Sequence, residues 1–319
     1  MEVLAIGEAL IDLLSSTCLE KDPTVVTFTQ YAGGAPANVA VAVAKLGGKS
    51  FLFGKVGKDQ FGHFLINALK NNGVSTDFVG FSETGKTALA FVTLDHLGER
   101  SFEFYDTHAA HNDIQLSDFT AEIIEPTRVV SFCSGMLANE HQLDCTLQAL
   151  EIFKKNQSII CLDINFRSAF WPPTQDAAGK ISSAAIMANI IKASRDELVQ
   201  LYGVEHVEQV VKSWIEQGVS LVIITDGGKP IAFYTQNFDG TYPAPKANVV
   251  DTTAAGDAFV GGFLYRVAGE NSSSKTFVEW VANFQHVLKA IDFATKCGAF
   301  TVAHFGAFDS LPIMSDLNV

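Results

Sequence analysis

Apolar residues follow two rhythms along the chain. Short β-rich runs ("EVLAIG" at 2–7, "SFLFGKVG" at 50–57, "RVVSFCSG" at 128–135, "SIICLDIN" at 158–165 and "SLVIITDG" at 220–227) alternate with amphipathic stretches at 36–47, 58–71, 140–155 and 195–217. That alternation predicts parallel strands joined by right-handed helical crossovers, with helices on both faces of one sheet, an α/β fold. Two segments break the rhythm. "TALAFVTL" (87–94) and "RSFEFY" (100–105) alternate apolar and polar positions around "DHLGE", which predicts an antiparallel hairpin. Residues 9–14 and 25–31 supply two further candidate strands. Together these pieces predict a small β lid, from about 9–32 and 85–108, on a single domain spanning 1–319. Repeats and long linkers are absent; "GENSSSK" (269–275) is a short loop.

The stretch "DTTAAGDAFVGG" (251–262) places Asp257 at the head of an apolar run with helical spacing, Phe259, Val260, Phe263, Leu264 and Val267, expected to stop at Gly269. Unpaired N–H groups gather at such a helix start. Asp257 could simply cap it, but Ala254, Ala255 and Gly256 strip the approach of bulk, as a docking anion requires. In "YAGGAPANVAVAVAKLGG", Gly33 and Gly34 precede Pro36, a favoured first-turn residue, and the helix is expected to run to Gly47. A turn accounts for Pro36 and one glycine. Asn38, one turn in, offers a donor and an acceptor to hydroxyls, and Asp12 adds an acceptor-only group.

Composition narrows the class. The chain has 319 residues, 48% hydrophobic against 18% charged, and a net charge of −13, which argues against nucleic acid or an anionic membrane as partner. The beginning, "MEVLAIGEALIDLL", has no basic leader region, and no apolar run reaches spanning length, so a cytoplasmic enzyme is expected. Cys18, Cys133, Cys145, Cys161 and Cys297 show no metal or redox spacing and read as small core residues. His108 and His111 read as polar loop or lid-edge residues; Glu8, Asp95 and Asp226 read as solvated carboxylates near turns.

Neither a Walker-type loop nor a dinucleotide-binding glycine motif occurs. Instead, "GGAPANVAVAVAKLGGKSFLFGKVGKDQFG" (33–62) and "DTTAAGDAFVGG" resemble the two signatures of the ribokinase-like (PfkB) carbohydrate kinases, and "DINFRSAFW" (163–171), "TDGG" (225–228) and the hairpin extend the likeness along nearly the whole chain. The resemblance implies a three-layer α/β/α fold with a mostly parallel central sheet and a small β-sheet lid. It also implies transfer of the ATP γ-phosphoryl to a sugar hydroxyl, with Asp257 as base and the N–H groups of Ala254, Ala255 and Gly256 as anion hole. A carboxylate at a helix N-terminus should be a weak base, which suffices if the proton leaves late.

By the same resemblance, Asp12, Gly33, Gly34 and Asn38 bind sugar, with Arg167 near its oxygens or fixing the Asp163 loop. Thr225, Gly227, Gly256 and Ser194 lie with the nucleotide. Glu197 organises Mg²⁺ through water, and Asp251, Thr253, Gly306 and Ser310 match a monovalent cation site, K⁺ by implication. "SRDE" carries Ser194 where the family motif has Asn.

The motifs are nearest those of fructokinases, implying fructose as acceptor. Yet "FYDTHAAHND" has Asp106 and His111 where that branch has Arg and Asp. Another small polyol (2-keto-3-deoxygluconate, ribose or a riboside) and a non-catalytic sugar sensor therefore stay as alternatives. Apolar side chains on both faces of the hairpin imply a homodimer through the lid.

Overall fold

The structure, a computed structural model, describes residues 2–18, 27–94, 100–105, 108–171 and 175–317. Its strands are β1 (Val3–Ile6), β2 (Leu10–Cys18), β3 (Phe28–Gly33), β4 (Ser50–Gly57), β5 (Val79–Ser82), β6 (Ala88–Leu94), β7 (Arg100–Tyr105), β8 (Val129–Cys133), β9 (Ile159–Asp163), β10 (Ile190–Ser194), β11 (Leu221–Asp226), β12 (Lys229–Thr235) and β13 (Asp239–Tyr242). The helices are α1 (Ala35–Lys45), α2 (Gln60–Asn71), α3 (Ala121–Ile124), α4 (Glu140–Lys155), α5 (Ala177–Ala185), α6 (Arg195–Tyr202), α7 (Val207–Glu216), α8 (Ala255–Glu270), α9 (Ser274–Val281) and α10 (Phe284–Thr301).

Nine strands form the larger sheet in the order β13-β12-β11-β10-β9-β8-β1-β4-β5. It is parallel from β11 to β5, and only β12 and β13 pair antiparallel. Successive side chains of a strand point to opposite faces, and both faces here are covered, so the strands read as continuous apolar runs. Leu4 and Ile6 enter one core with Val130, Ile160 and Ile191. Val3 enters the other with Val129, Ile159 and Ile190. Residues of α4–α7 cover the first face, and residues of α1, α8, α9 and α10 the second. Each fully buried aliphatic side chain contributes about 1.5–3 kcal/mol.

The smaller sheet has the order β3-β2-β6-β7. The hairpin forms as the alternation implies, β6 against β7, and β2 pairs antiparallel with β3. The β2–β6 junction is parallel, a pairing that alternation cannot specify. The strand expected at 9–14 runs on to Cys18, and its partner begins at Phe28. The hairpin turn with Asp95, residues 25–26 and Asp106 lie outside the described residues. No helix among the described residues is long and apolar enough to cross a membrane.

Three helix limits differ from the sequence reading. The stretch 195–217 is two helices, because Gly203 sits at φ 82° after Tyr202. α1 ends at Lys45, with Gly47 (φ 92°) donating to Ala44 O and Gly48 to Val43 O, a Schellman closure. α8 passes Gly269 to Glu270, because the Asn271 side chain donates to Val267 O beyond it.

The glycines of "DAFVGG" serve packing. A Cβ on Gly261 would overlap Ala42 of α1, and one on Gly262 would come 2.6 Å from Cys297 Sγ on α10. The bare Gly261 lets α1 and α8 approach closely enough for residues of the two first turns to touch, and Gly262 does the same for α8 and α10.

Candidate active site

α1 and α8 start side by side, and their first turns hold the central contact. Asn38 Nδ2 donates to Asp257 Oδ2 at 2.7 Å. Asn165, just after β9 in a left-handed conformation (φ 37°), donates to Asp257 Oδ1 at 3.2 Å. The carboxylate is thus gripped on both oxygens while 7% exposed. Burial raises its pKa above the ordinary value; the Asn38 hydrogen bond, Lys192 and Arg167 oppose that rise and Glu197 adds to it. Loss of water on burial thus outweighs the Asn38 donor and the nearby cations at this carboxylate.

Asp257 is the third residue of α8 rather than its cap. Ala254 holds the cap position in a left-handed conformation (φ 59°), with no side-chain cap. Of the three N–H groups named from the sequence, that of Ala255 is occupied by Thr252 O at 3.3 Å. Those of Gly256 and Asp257 point from the first turn without a partner among the described residues, as helix geometry dictates.

Beneath this turn lies Lys192, which the sequence reading passed over. It is 5% exposed and donates to Asp163 Oδ1 at 3.0 Å. A Cβ on Gly256 would come 3.0 Å from its Nζ. Burial alone would lower the Lys192 pKa, but Asp163 and Glu197 beside it carry it above the usual value, so the ammonium persists. Burial pushes the Asp163 carboxyl up against the pull of Lys192, and its Oδ2 is buried without a partner.

Asn38, Asn165, Lys192, Gly256 and Asp257 line a cleft of about 990 Å³ that also takes in Asp12, Gly34, Arg167, Ser194 and Glu197. Leu10, Asp12 and Phe104 of the smaller sheet form one wall. Gly33 is not in the lining; a Cβ there would overlap the Asp12 carboxylate, so this glycine makes room for the acid. Gly34 (φ 103°) brings its backbone against Glu8, where a Cβ would come 2.7 Å from the carbonyl oxygen. Asn38 Oδ1 is buried with no partner.

Ser194 and Glu197 cap α6 reciprocally: Ser194 N donates to Glu197 Oε2 at 2.8 Å, and Glu197 N to Ser194 Oγ at 3.2 Å. Glu197 Oε1 stays 3.8 Å from Arg167 Nη1, and the Arg167 side chain is half exposed. Thr225 and Gly256 connect this cleft to a second one of about 730 Å³, which Gly227 and residues of α10 line.

Asp251 ties two loops together, accepting from Thr253 N at 2.8 Å and Gly306 N at 3.0 Å. Ser310 stands behind them, its Oγ held by Ala307 O at 2.9 Å.

One reading from sequence needs correction. Glu8 is no solvated turn residue; it is 5% exposed, and burial pushes its carboxyl up to about 7. His111 is half-buried and lines a side cavity, with burial pushing its imidazole down to about 4. Asp226 pairs with Lys229 and His108 is exposed, as ordinary surface groups do. Cys133, Cys145, Cys161 and Cys297 are buried and unbridged.

A family model described as pfkB family carbohydrate kinase matches residues 1–314. Fructokinase-1 of Oryza sativa subsp. japonica is 38% identical over 312 residues, covering 97% of this chain and 94% of that protein. Among solved structures, fructokinase from Xylella fastidiosa with bound ATP superposes with a TM-score of 0.93 at 34% identity, covering 99% and 97% of the two chains. A double mutant of fructokinase from Vibrio cholerae O395 in fructose, ADP and potassium ion bound form gives 0.86 at 32% identity, covering 99% and 96%.

Proposed function

The chain belongs to the pfkB family of carbohydrate kinases, and from that membership we propose that it transfers the γ-phosphoryl of ATP to the 6-hydroxyl of fructose, releasing ADP and fructose 6-phosphate. The observation that carries the reading is the buried Asp257 carboxylate, oriented by Asn38 and Asn165 at the mouth of a helix start. In the step, the sugar oxygen attacks the γ-phosphorus and its proton passes to Asp257. The bond from phosphorus to the β,γ-bridging oxygen breaks, and its electron pair leaves with ADP. A raised pKa makes Asp257 a better acceptor for that proton. The free N–H groups of Gly256 and Asp257, with the Lys192 ammonium, face the charge that builds on the phosphoryl oxygens.

Asp12 and the unpartnered Asn38 Oδ1 receive sugar hydroxyls, and Arg167 at the cleft mouth meets ligand oxygens. Thr225, Gly227 and Ser194 flank the phosphates, with the base in the cleft against α10. The bound ATP of the Xylella protein and the fructose and ADP of the Vibrio protein support a nucleotide and a sugar as the two ligands.

Mg²⁺ fits through water: Glu197 lines the cleft, its Oε1 beside Arg167, with the orphaned Asp163 Oδ2 buried nearby, and no cluster of three ligands converges among the described residues. When bound, the ion would neutralise charge on the phosphates. The loops tied by Asp251, around Thr253 and Gly306, suit a monovalent cation, with Ser310 as support behind them; the potassium-bound form of the Vibrio protein supports K⁺ as the ion.

One domain with a lid from the smaller sheet completes the proposal. Its outer face gathers Phe28, Phe91 and Tyr105, ring centroids 5.3 and 5.1 Å apart, and Tyr105 is 55% exposed. Apolar surface of this kind suits a homodimer joined through the lids. The reading carries a cytoplasmic location, where ATP and free sugar are both at hand. A coupled ADP-release assay with Mg-ATP and a panel of sugars tests it: fructose should give the highest kcat/KM, and silence on every sugar would overturn the kinase reading.

A further inference from the structure

Glu8 stands apart from the groups around the phosphoryl. It follows Gly7 (φ 139°) beyond the end of β1 and forms no ion pair among the described residues. Its oxygens meet the Cys133 thiol at 3.9 Å, and burial keeps that thiol far from ionising. Its own N–H and that of Ala35, at the start of α1, partly offset the loss of water; Asp257 adds to it, and Arg167 opposes it. A carboxyl buried without a cation is unfavourable, more than a helix cap requires.

Its position suggests what it serves. Glu8 borders the main cleft on one side and a side cavity of about 430 Å³ on the other. Gly135 and Phe170 share that border, and a Cβ on Gly135 would lie 3.8 Å from Glu8 Oε2 and 3.9 Å from Phe170. The side cavity is lined with polar groups, His111, Asn112, Asn139 and Gln175 among them.

We propose that Glu8 binds a hydroxyl at the end of the acceptor remote from the transferred one, that the side cavity beside His111 receives that end, and that acceptor choice is set here. The inference rests on the reading of the main cleft as the sugar site. A protonated carboxyl offers one donor and one acceptor, which is what a hydroxyl needs. Sites built on buried hydrogen bonds reject analogues that lack the partner group.

The test measures kcat and KM for fructose, 1-deoxyfructose and 2,5-anhydromannitol in wild type, Glu8→Ala and Glu8→Gln, with the ATP KM and thermal unfolding in parallel. Wild type should prefer fructose over at least one analogue by about 10-fold or more in kcat/KM. Glu8→Ala should erase that preference and raise the fructose KM about 10-fold, with the ATP KM within about twofold. Glu8→Gln, keeping a donor and an acceptor, should retain most of the preference. The inference is overturned if Glu8→Ala keeps the preference, or if both variants lose stability and fructose and ATP affinity together, as a pure helix cap would. Wild type inert on all three sugars would overturn the parent reading instead, so the two failures are distinguishable.

Discussion

Replacing Lys192 with Met keeps the bulk and removes the charge beneath the first turn of α8. Nζ lies 3.0 Å from where a Gly256 Cβ would stand, which puts a phosphoryl oxygen held by that turn within the short range, taken as roughly 5 Å, where a charge acts strongly. At an effective dielectric of about 20, two unit charges at that distance attract by about 3 kcal/mol. Most of this should be realised as charge builds on the transferring group, so kcat/KM for ATP should fall by about 10². The same substitution strands Asp163. Breaking a buried pair from one side costs about 3–5 kcal/mol, less here because a carboxyl already raised by burial can take up a proton. The double variant Lys192→Met with Asp163→Asn separates the two effects. It should recover most of the thermal stability, read by calorimetry, while turnover in a coupled ADP assay stays near that of the single variant. If the double variant also recovers activity to within a few-fold of wild type, Lys192 only neutralises Asp163 and its role at the phosphoryl is refuted.

Three further outcomes follow from the same geometry. The Glu8 carboxyl is raised from 4.5 to about 7 in the folded state, so its contribution is fully present below about pH 4.5 and lost as pH rises through 7. Glu8→Gln should therefore gain about 3 kcal/mol over wild type at pH 8 and almost nothing at pH 4, in denaturant titrations at each pH; a pH-independent difference would contradict the buried, unpaired acid. Activity should rise when K⁺ replaces a large organic cation at equal ionic strength, and indifference across a millimolar titration would remove the cation from the Asp251 loops. Light scattering at micromolar concentration should give a dimer mass that Phe91→Glu lowers to monomer; a monomeric wild type would refute association through the lid.

Signals carried by neighbours in sequence were legible, and those assembled from distant segments were not. "DTTAAGDAFVGG" announces a helix start with small residues because all its parts lie within one turn. The contact of Asn38 with Asp257 spans 219 positions, and only the closeness of two small-residue helices explains it. Lys192 was missed because its signal is a single charge within "IIKAS"; a lone Lys near the C-terminal end of a buried parallel strand, where α/β sheets bind ligands, was the clue available. Glu8 offers the same clue after β1, but a carboxylate beside a turn is ordinarily solvated, and only the fold shows that this one is buried. Asn165 in "DINFRS" needed its left-handed backbone to aim at Asp257, which no spacing reveals. The raised pKa of Asp257 was likewise invisible, since the helix start is local and the burial is not.

The central claim is that Asp257 accepts the proton of the attacking hydroxyl, and single-turnover phosphoryl transfer in Asp257→Asn tests it most directly. The amide keeps the shape of the carboxylate and removes its basicity. With ATP and fructose saturating, the account predicts nucleotide affinity within a few-fold of wild type and a transfer rate lower by at least about 10². Wild-type Asp257 should also show an acid limb in its pH–rate profile above the ordinary carboxylate range, because burial raises it, and the variant should lack that limb. A transfer rate within a few-fold of wild type, with the acid limb unchanged, would contradict the account.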